Sequence, residues 1–188
     1  MGVACSASVF GFQVKIGDSA PSFSVTTMGG KQLFFKDMQT GGPIFLYFIR
    51  DGDTPTQQQT SYINQMIRDY GTSRVTWYGI LNVGGNRAKS YEAEVNPAFR
   101  IEQDQNLSAI KSFSLTNGPV VIEFDGSGHV LNTWHGFSAV NLKGMNVAMA
   151  AASHKPIHDL DYSTAPSRAR FGGDYADVIR TSINSGGG

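Results

Sequence analysis

Hydrophobic positions along this chain come in short blocks that switch between two periods, and one block stands apart. Residues Ile44–Ile49 read Ile-Phe-Leu-Tyr-Phe-Ile, unbroken by a polar side chain and preceded by Gly41-Gly42-Pro43. Such a run of aromatic and β-branched residues predicts a strand covered on both faces. Arg50 to Asp53 then make a polar turn, and Thr54-Pro55-Thr56-Gln57 opens a helix. Thr54 is expected as the N-cap, Pro55 suits the first helical position, and Gln57 stands where a capping box wants Glu or Gln. Tyr62, Ile63, Met66, Ile67 and Tyr70 recur at helical spacing, and Gly71 offers a stop, so the helix should cover residues 55–70. A buried strand that hands its last residues to a helix N-terminus is a frequent place for chemistry in α/β proteins.

The remaining blocks fill in around that unit. Residues 23–26 and 31–35 predict a hairpin about Gly29-Gly30, and residues 37–42 a connection. Residues 74–82 predict a second buried strand, parallel to the first by the βαβ rule. Gly84-Gly85-Asn86-Arg87 reads as a loop, since it lacks the GxxxxGK pattern of a phosphate-binding turn. Ala88, Tyr91 and Val95 mark a short helix ending before Pro97, residues 99–102 a brief strand, and Leu107, Ile110 and Phe113 another short helix. After the turn Thr116-Asn117-Gly118-Pro119, strands at 120–124 and 129–135 flank Asp125-Gly-Ser-Gly128, and a helix over 139–152 turns Leu142, Met145, Met149 and Ala152 inward. Beyond Ser153 the pattern fails. Ile157, Leu160, Tyr162, Phe171, Tyr175, Ile179 and Ile183 are scattered singly among polar residues and glycine, too few for a core of their own.

Composition narrows the chemistry. Fifteen basic and fifteen acidic residues leave a formal net charge of zero, so no field favours nucleic acid, and no apolar run is long enough to span a bilayer. The single cysteine, Cys5, excludes an internal disulfide, a CxxC pair and a cysteine-based zinc site. His154 and His158 stand four apart near Asp159 and Asp161, but Pro156 between them opposes a regular helix, so no metal site is expected. His129 and His135, six apart on a predicted strand, should share one face as surface histidines. A Gly-x-Ser-x-Gly elbow is absent, and no cofactor is expected.

The element order over residues 20–152 resembles the thioredoxin fold in its redoxin form, the branch that holds alkyl hydroperoxide reductase/thiol-specific antioxidant proteins and thiol reductases. Gly17-Asp-Ser-Ala-Pro21-Ser-Phe23 is similar to the G-x-x-A-P-x-F entry of redoxins, and Gly118-Pro119-Val-Val-Ile-Glu-Phe124 to their cis-proline loop and strand. The resemblance implies an α/β, three-layer fold, with a central mixed sheet, helices on both faces and, here, an extended C-terminal tail. It places Asp53-Thr54-Pro55-Thr56 where such a reductase carries C-x-P-C, so the proline is kept and both thiols are replaced. It also makes Pro119 the cis-proline, with Gly118 in place of the more usual Thr or Val. Thiol exchange and peroxide reduction both need a thiolate, which Asp53 and Thr56 do not supply. Asp53 is expected to serve the helix N-terminus as a charged cap.

The expected organisation is a flexible N-terminal segment (1–13), a thioredoxin-like domain (14–152) and a C-terminal arm (153–188) that stays loose or lies along its own domain or a neighbour. The expected function is that of a pseudoenzyme: no catalytic residues, vestigial positions at Asp53, Thr54, Pro55, Thr56, Gly118 and Pro119, and binding as an accessory subunit through the arm. The alternative is a divergent thiol-dependent oxidoreductase or peroxidase using Cys5. The compartment stays open between bacterial cytoplasm and, should the N-terminus be a processed export or lipoprotein signal, periplasm.

Overall fold

A computed structural model of the chain describes residues 14–177. Cys5, the expected flexible segment and the last part of the expected arm lie outside them. The run of six apolar residues is β3 (Ile44–Ile49), and all six side chains are buried. Alternation sends Phe45, Tyr47 and Ile49 into one core layer and Ile44, Leu46 and Phe48 into the other. β3 therefore needs no polar face, which is why its sequence shows no period of two.

Around it stand β1 (Ser24–Thr27), β2 (Gln32–Phe34), β4 (Thr76–Leu81), β5 (Arg100–Gln103), β6 (Val120–Phe124) and β7 (Val130–His135), in the order β2-β1-β5-β4-β3-β6-β7. β3 pairs parallel with β4 and antiparallel with β6, so the sheet is mixed. The helices α2 (Thr54–Tyr70), α3 (Gly85–Val95) and α5 (Ala139–Ser153) cover one face, and α1 (Phe35–Met38) and α4 (Ser108–Ser112) the other. On the first face Phe45 stacks on Trp77 at 4.5 Å, and Ile63, Met66 and Ile67 of α2 meet Leu142, Met145 and Met149 of α5. The architecture is the three-layer thioredoxin-like fold that the element order implies.

Four local readings need correction. Residues 35–38 form α1, a single turn that buries Phe35 and Met38, where a strand end and a connection were expected. Gly85, Asn86 and Arg87 are the first turn of α3 and not a loop: Gly85 adopts φ 60 and its N–H donates to Gln103 Oε1 at 2.6 Å. The N-cap of α2 is Asp53, with Thr54 inside the helix, because the Asp53 carboxylate and not the Thr54 hydroxyl reaches the free N–H of Thr56. Finally, a bulge opposite Glu123 and Phe124 shifts the register of β7, so that Val130 shares a face with Thr133 and His135. His129 therefore does not: it is exposed beside Asp125, while His135 is half-buried and its pKa is lowered by that burial.

After α5 the chain turns at His154, φ 56, and lies along the domain. Leu160 is buried against the α2–α5 layer. Tyr70 Oη donates to Asn146 Oδ1 at 2.6 Å, Asn146 Nδ2 to the His158 carbonyl at 2.8 Å, and His158 N–H to Tyr70 Oη at 2.8 Å, a closed ring of bonds that holds the departing chain. Tyr62 stacks on Tyr162 and shares a 2.7 Å hydrogen bond with Thr164. Of the scattered hydrophobes among the described residues, Leu160 and Tyr175 are buried in the domain's core, while Ile157 and Phe171 stay exposed.

Candidate functional site

The carboxyl end of β3 is built by short-range rules. Ile49 ends the strand, Gly52 takes φ 71 to turn the chain, and Asp53 is extended at φ −101, ψ 119, as an N-cap must be. Asp53 Oδ2 accepts from Thr56 N–H at 3.2 Å and from Thr56 Oγ1 at 2.8 Å. Both side chains are buried, Thr56 fully. One layer below, Tyr47 Oη donates to the Thr56 carbonyl at 2.7 Å, and Thr60 Oγ1 donates to the same carbonyl at 2.9 Å. Burial raises the Tyr47 phenol well above its ordinary pKa and pushes Tyr91 up to about 12, so both stay protonated in the usual pH range.

Gly118 and Pro119 join through a cis peptide bond, and this loop faces the α2 N-terminus. Gly172 of the arm sits between the two: its N–H donates to the Gly118 carbonyl at 2.7 Å, and its Cα lies so close to the Asp53 carboxylate that a Cβ there would collide with it. The structure thus brings together Asp53, Thr56, Gly118 and Pro119, with Thr54 and Pro55 as the first residues of α2.

No local pattern along the chain marks the groups that complete the site. Asp51, buried at the strand end, receives both Arg87 Nε at 2.7 Å and Arg87 Nη2 at 2.6 Å, and its N–H donates to Asn82 Oδ1 at 2.8 Å. The fork of two charge-assisted bonds, with Glu94 on the far side at 2.8 Å, holds the guanidinium pKa above its usual value. Asn82 in turn donates to the Tyr175 carbonyl at 2.9 Å. Tyr175 is buried and its hydroxyl donates to the Phe48 carbonyl at 3.0 Å; burial, and then the nearby Asp53 charge, raise its pKa well above the ordinary phenol. Arg50 Nε donates to the Asp174 carbonyl at 3.0 Å. Gln59, fully buried on α2, finds no hydrogen-bond partner for its amide among the described residues. The adjacent Gly172-Gly173 in a segment of scattered hydrophobes was the only available hint of close approach.

Chemically the arrangement is closed. The hydroxyl of Thr56 is spent on Asp53, the Thr56 N–H is capped by the same carboxylate, and the backbone at Gly172 lies against it. Among the described residues no group of three His, Cys, Asp or Glu side chains is placed to hold a metal ion. His154 caps α5 and His158 is held by its backbone, so the spaced pair forms no helical face.

No protein-family model matches the chain, and no curated protein sequence matches it. Solved structures do. The chain is similar to a protein assigned as a thiol:disulfide interchange protein, DsbE, from Chlorobium tepidum (TM-score 0.67, 22% identity, 75% of this chain and 99% of that one). It is also similar to the peroxidoxin BcpB of Mycobacterium tuberculosis (TM-score 0.63, 13% identity, 76% and 97%). The thioredoxin domain of a thiol-disulfide oxidoreductase from Bacteroides vulgatus gives a TM-score of 0.60 at 16% identity, over 71% and 96%. At these identities the likeness is one of fold. The chain has the thioredoxin-like fold, and with Cys5 as its one cysteine it holds no cysteine pair.

Proposed function

We propose that this protein is a redox-inactive thioredoxin-like protein that works by binding, as an accessory subunit of a larger assembly. The observation that carries the reading is the state of the α2 N-terminus. Where a thiolate would stand, Asp53 caps the helix through two bonds to Thr56, and residues 172–175 lie over it. A thiolate needs the positive helix end for its lowered pKa and needs open access for its substrate; here the first is given to a carboxylate and the second to the arm. Among the described residues no helix is long and apolar enough to cross a membrane, and the zero net charge offers no pull toward nucleic acid.

A second reading draws on the fold itself, which the chain shares with thiol-disulfide enzymes and a peroxidoxin. It makes the protein a divergent thiol-dependent oxidoreductase or peroxidase that uses Cys5. The two separate in one experiment. Peroxide consumption and insulin reduction are measured for the wild type and for Cys5→Ser. Absence of turnover in both supports the binding role, and turnover that disappears in the variant establishes the enzyme. Native co-purification read by mass spectrometry then identifies the partner.

A further inference from the structure

Four glycines line the contact between the arm and the domain, two on each side. On the domain, a Cβ at Gly118 would stand 2.5 Å from the Tyr175 hydroxyl, and one at Gly136 would stand 3.0 Å from the Phe171 ring. On the arm, Gly172 meets the Asp53 carboxylate and a Cβ at Gly173 would lie 3.0 Å from the Arg50 guanidinium. Ordinary side-chain contacts are 3.4 Å or more, so a side chain at Gly118 or Gly172 would push the surfaces apart, and one at Gly136 or Gly173 would press on the Phe171 ring or the Arg50 guanidinium. Backbone groups pair across the same contact. Gly172 N–H donates to the Gly118 carbonyl at 2.7 Å, Tyr175 N–H to the Thr116 carbonyl at 2.9 Å, and Asp174 bridges Asn117 in antiparallel fashion. Residues 172–174 pair with the 116–118 loop through the main chain and Tyr175 follows in a turn, so affinity comes from the main chain and selectivity from the pockets.

Those pockets read a pattern. The first residue must be small, because the Asp53 carboxylate leaves no room, and the second lies tight against the Arg50 guanidinium. The next is held by its carbonyl alone, through Arg50 Nε, while its own carboxylate turns back to the Ala176 N–H at 2.7 Å. The fourth is an anchor: Tyr175 fills a buried hole, 1% exposed, and its hydroxyl finds the Phe48 carbonyl at 3.0 Å.

Resting on the binding role above, we propose that this groove is a recognition site for an extended Gly-Gly-x-Tyr peptide, filled in cis by residues 172–175 and open to the same pattern on a partner once the arm withdraws. A tethered occupant competes at an effective concentration of about millimolar, so the closed chain admits only a concentrated or high-affinity partner. Exchange of one extended segment for another moves no covalent bond and needs no thiol.

The test uses the full chain with Gly172→Val and Tyr175→Ala together, which unseats the arm and leaves every groove residue as it is. A fluorescent Arg-Phe-Gly-Gly-Asp-Tyr-Ala peptide is titrated by anisotropy, beside one with Ala for Tyr and one with Val for both glycines. Saturable binding is expected, weakened about tenfold or more by either change, as for a buried aromatic anchor. The wild type should bind about tenfold or more weaker than the double variant, because its own arm competes. No saturable binding by a variant that keeps a cooperative melt, or equal affinity for the three peptides, overturns the proposal. Should the double variant not fold, the wild type is titrated to millimolar peptide while the Gly172 and Tyr175 amides are followed by NMR. Displacement of both supports the site, and unchanged signals overturn it. Thiol turnover in the enzyme assays would refute the inactive reading and leave the peptide result standing; failed peptide binding would refute this site and leave inactivity untouched.

Discussion

The two halves of the C-terminal arm are attached by different physics. Residues 157–164 lie on the α2–α5 face through one buried aliphatic residue, Leu160, stacked tyrosines and the Tyr70–Asn146–His158 ring of bonds; Ile157 stays 61% exposed. Residues 170–175 are bound by strand-like pairing, by glycine-to-side-chain closeness and by one buried tyrosine. The first half rests on an ordinary helix surface and is replaceable piece by piece. The second half is matched at glycines to the α2 N-terminus and the cis-proline loop, and an added methyl at Gly172 or Gly118 would collide with Asp53 or Tyr175. A segment that merely tidied the chain end would need only the first kind of contact.

The contrast is broken most severely at Tyr175. Tyr175→Ala empties a fully buried hole and should lower the unfolding free energy by about 3 kcal/mol, as aromatic truncations in cores do, measured by denaturant titration. Leu160→Ala should cost about 2 kcal/mol and leave the Gly172 and Tyr175 amides protected from exchange. If the halves are independent, the double variant is additive within about 0.5 kcal/mol; a large coupling would mean that the arm docks as one unit.

A buried acid elsewhere sharpens the comparison from outside the site. Glu102 on β5 is 1% exposed, and its Oε2 has no hydrogen-bond partner among the described residues, with Arg100 Nε no nearer than 3.7 Å to its other oxygen. Burial raises its pKa from 4.5 to about 7, and Arg100 only partly offsets this. The folded state therefore binds the proton more tightly than the unfolded chain, and stability falls as pH rises from about 4.5 through 7. Glu102→Gln should flatten that dependence and stabilise the protein by up to about 3 kcal/mol at pH 8, at 1.4 kcal/mol per unit. Asp53, also buried, is bonded twice to Thr56. Asp53→Ala should cost about 1–2 kcal/mol through the lost cap, and Asp53→Ser should recover most of it. A thermal melt of each checks the order. The smallest effect belongs to the first half of the arm: Tyr62→Phe removes an exposed hydrogen bond to Thr164 and should shift stability by less than about 1 kcal/mol.

The sequence exposed the frame and hid the lid. β3 was legible because six buried residues in a row leave no other reading, and α2 because Pro55 and Gly71 mark its ends. The cap was misplaced by one residue, since Asp53 and Thr54 are both good caps and only the folded chain decides which carboxylate or hydroxyl reaches Thr56. α1 was missed because one turn has no period to detect. The empty thiol positions were plain, being a matter of residue type. The arm's second half was hidden for a physical reason: apart from the lone anchor Tyr175, it is held through its backbone groups and its fit depends on absent side chains, neither of which makes a hydrophobic pattern. The pairing of Asp51 with Arg87 joins residues from two separate turns, so nothing in local spacing announced it.

The most direct measurement is native-state hydrogen exchange at the amides of Gly172 and Tyr175. Both donate to carbonyls of the 116–118 loop, so the account predicts protection well above that of an open chain and close to that of Thr56 N–H at the capped helix end. Exchange at open-chain rates, while the amides of β3 stay protected, would mean that the arm does not occupy the site, and would contradict the account.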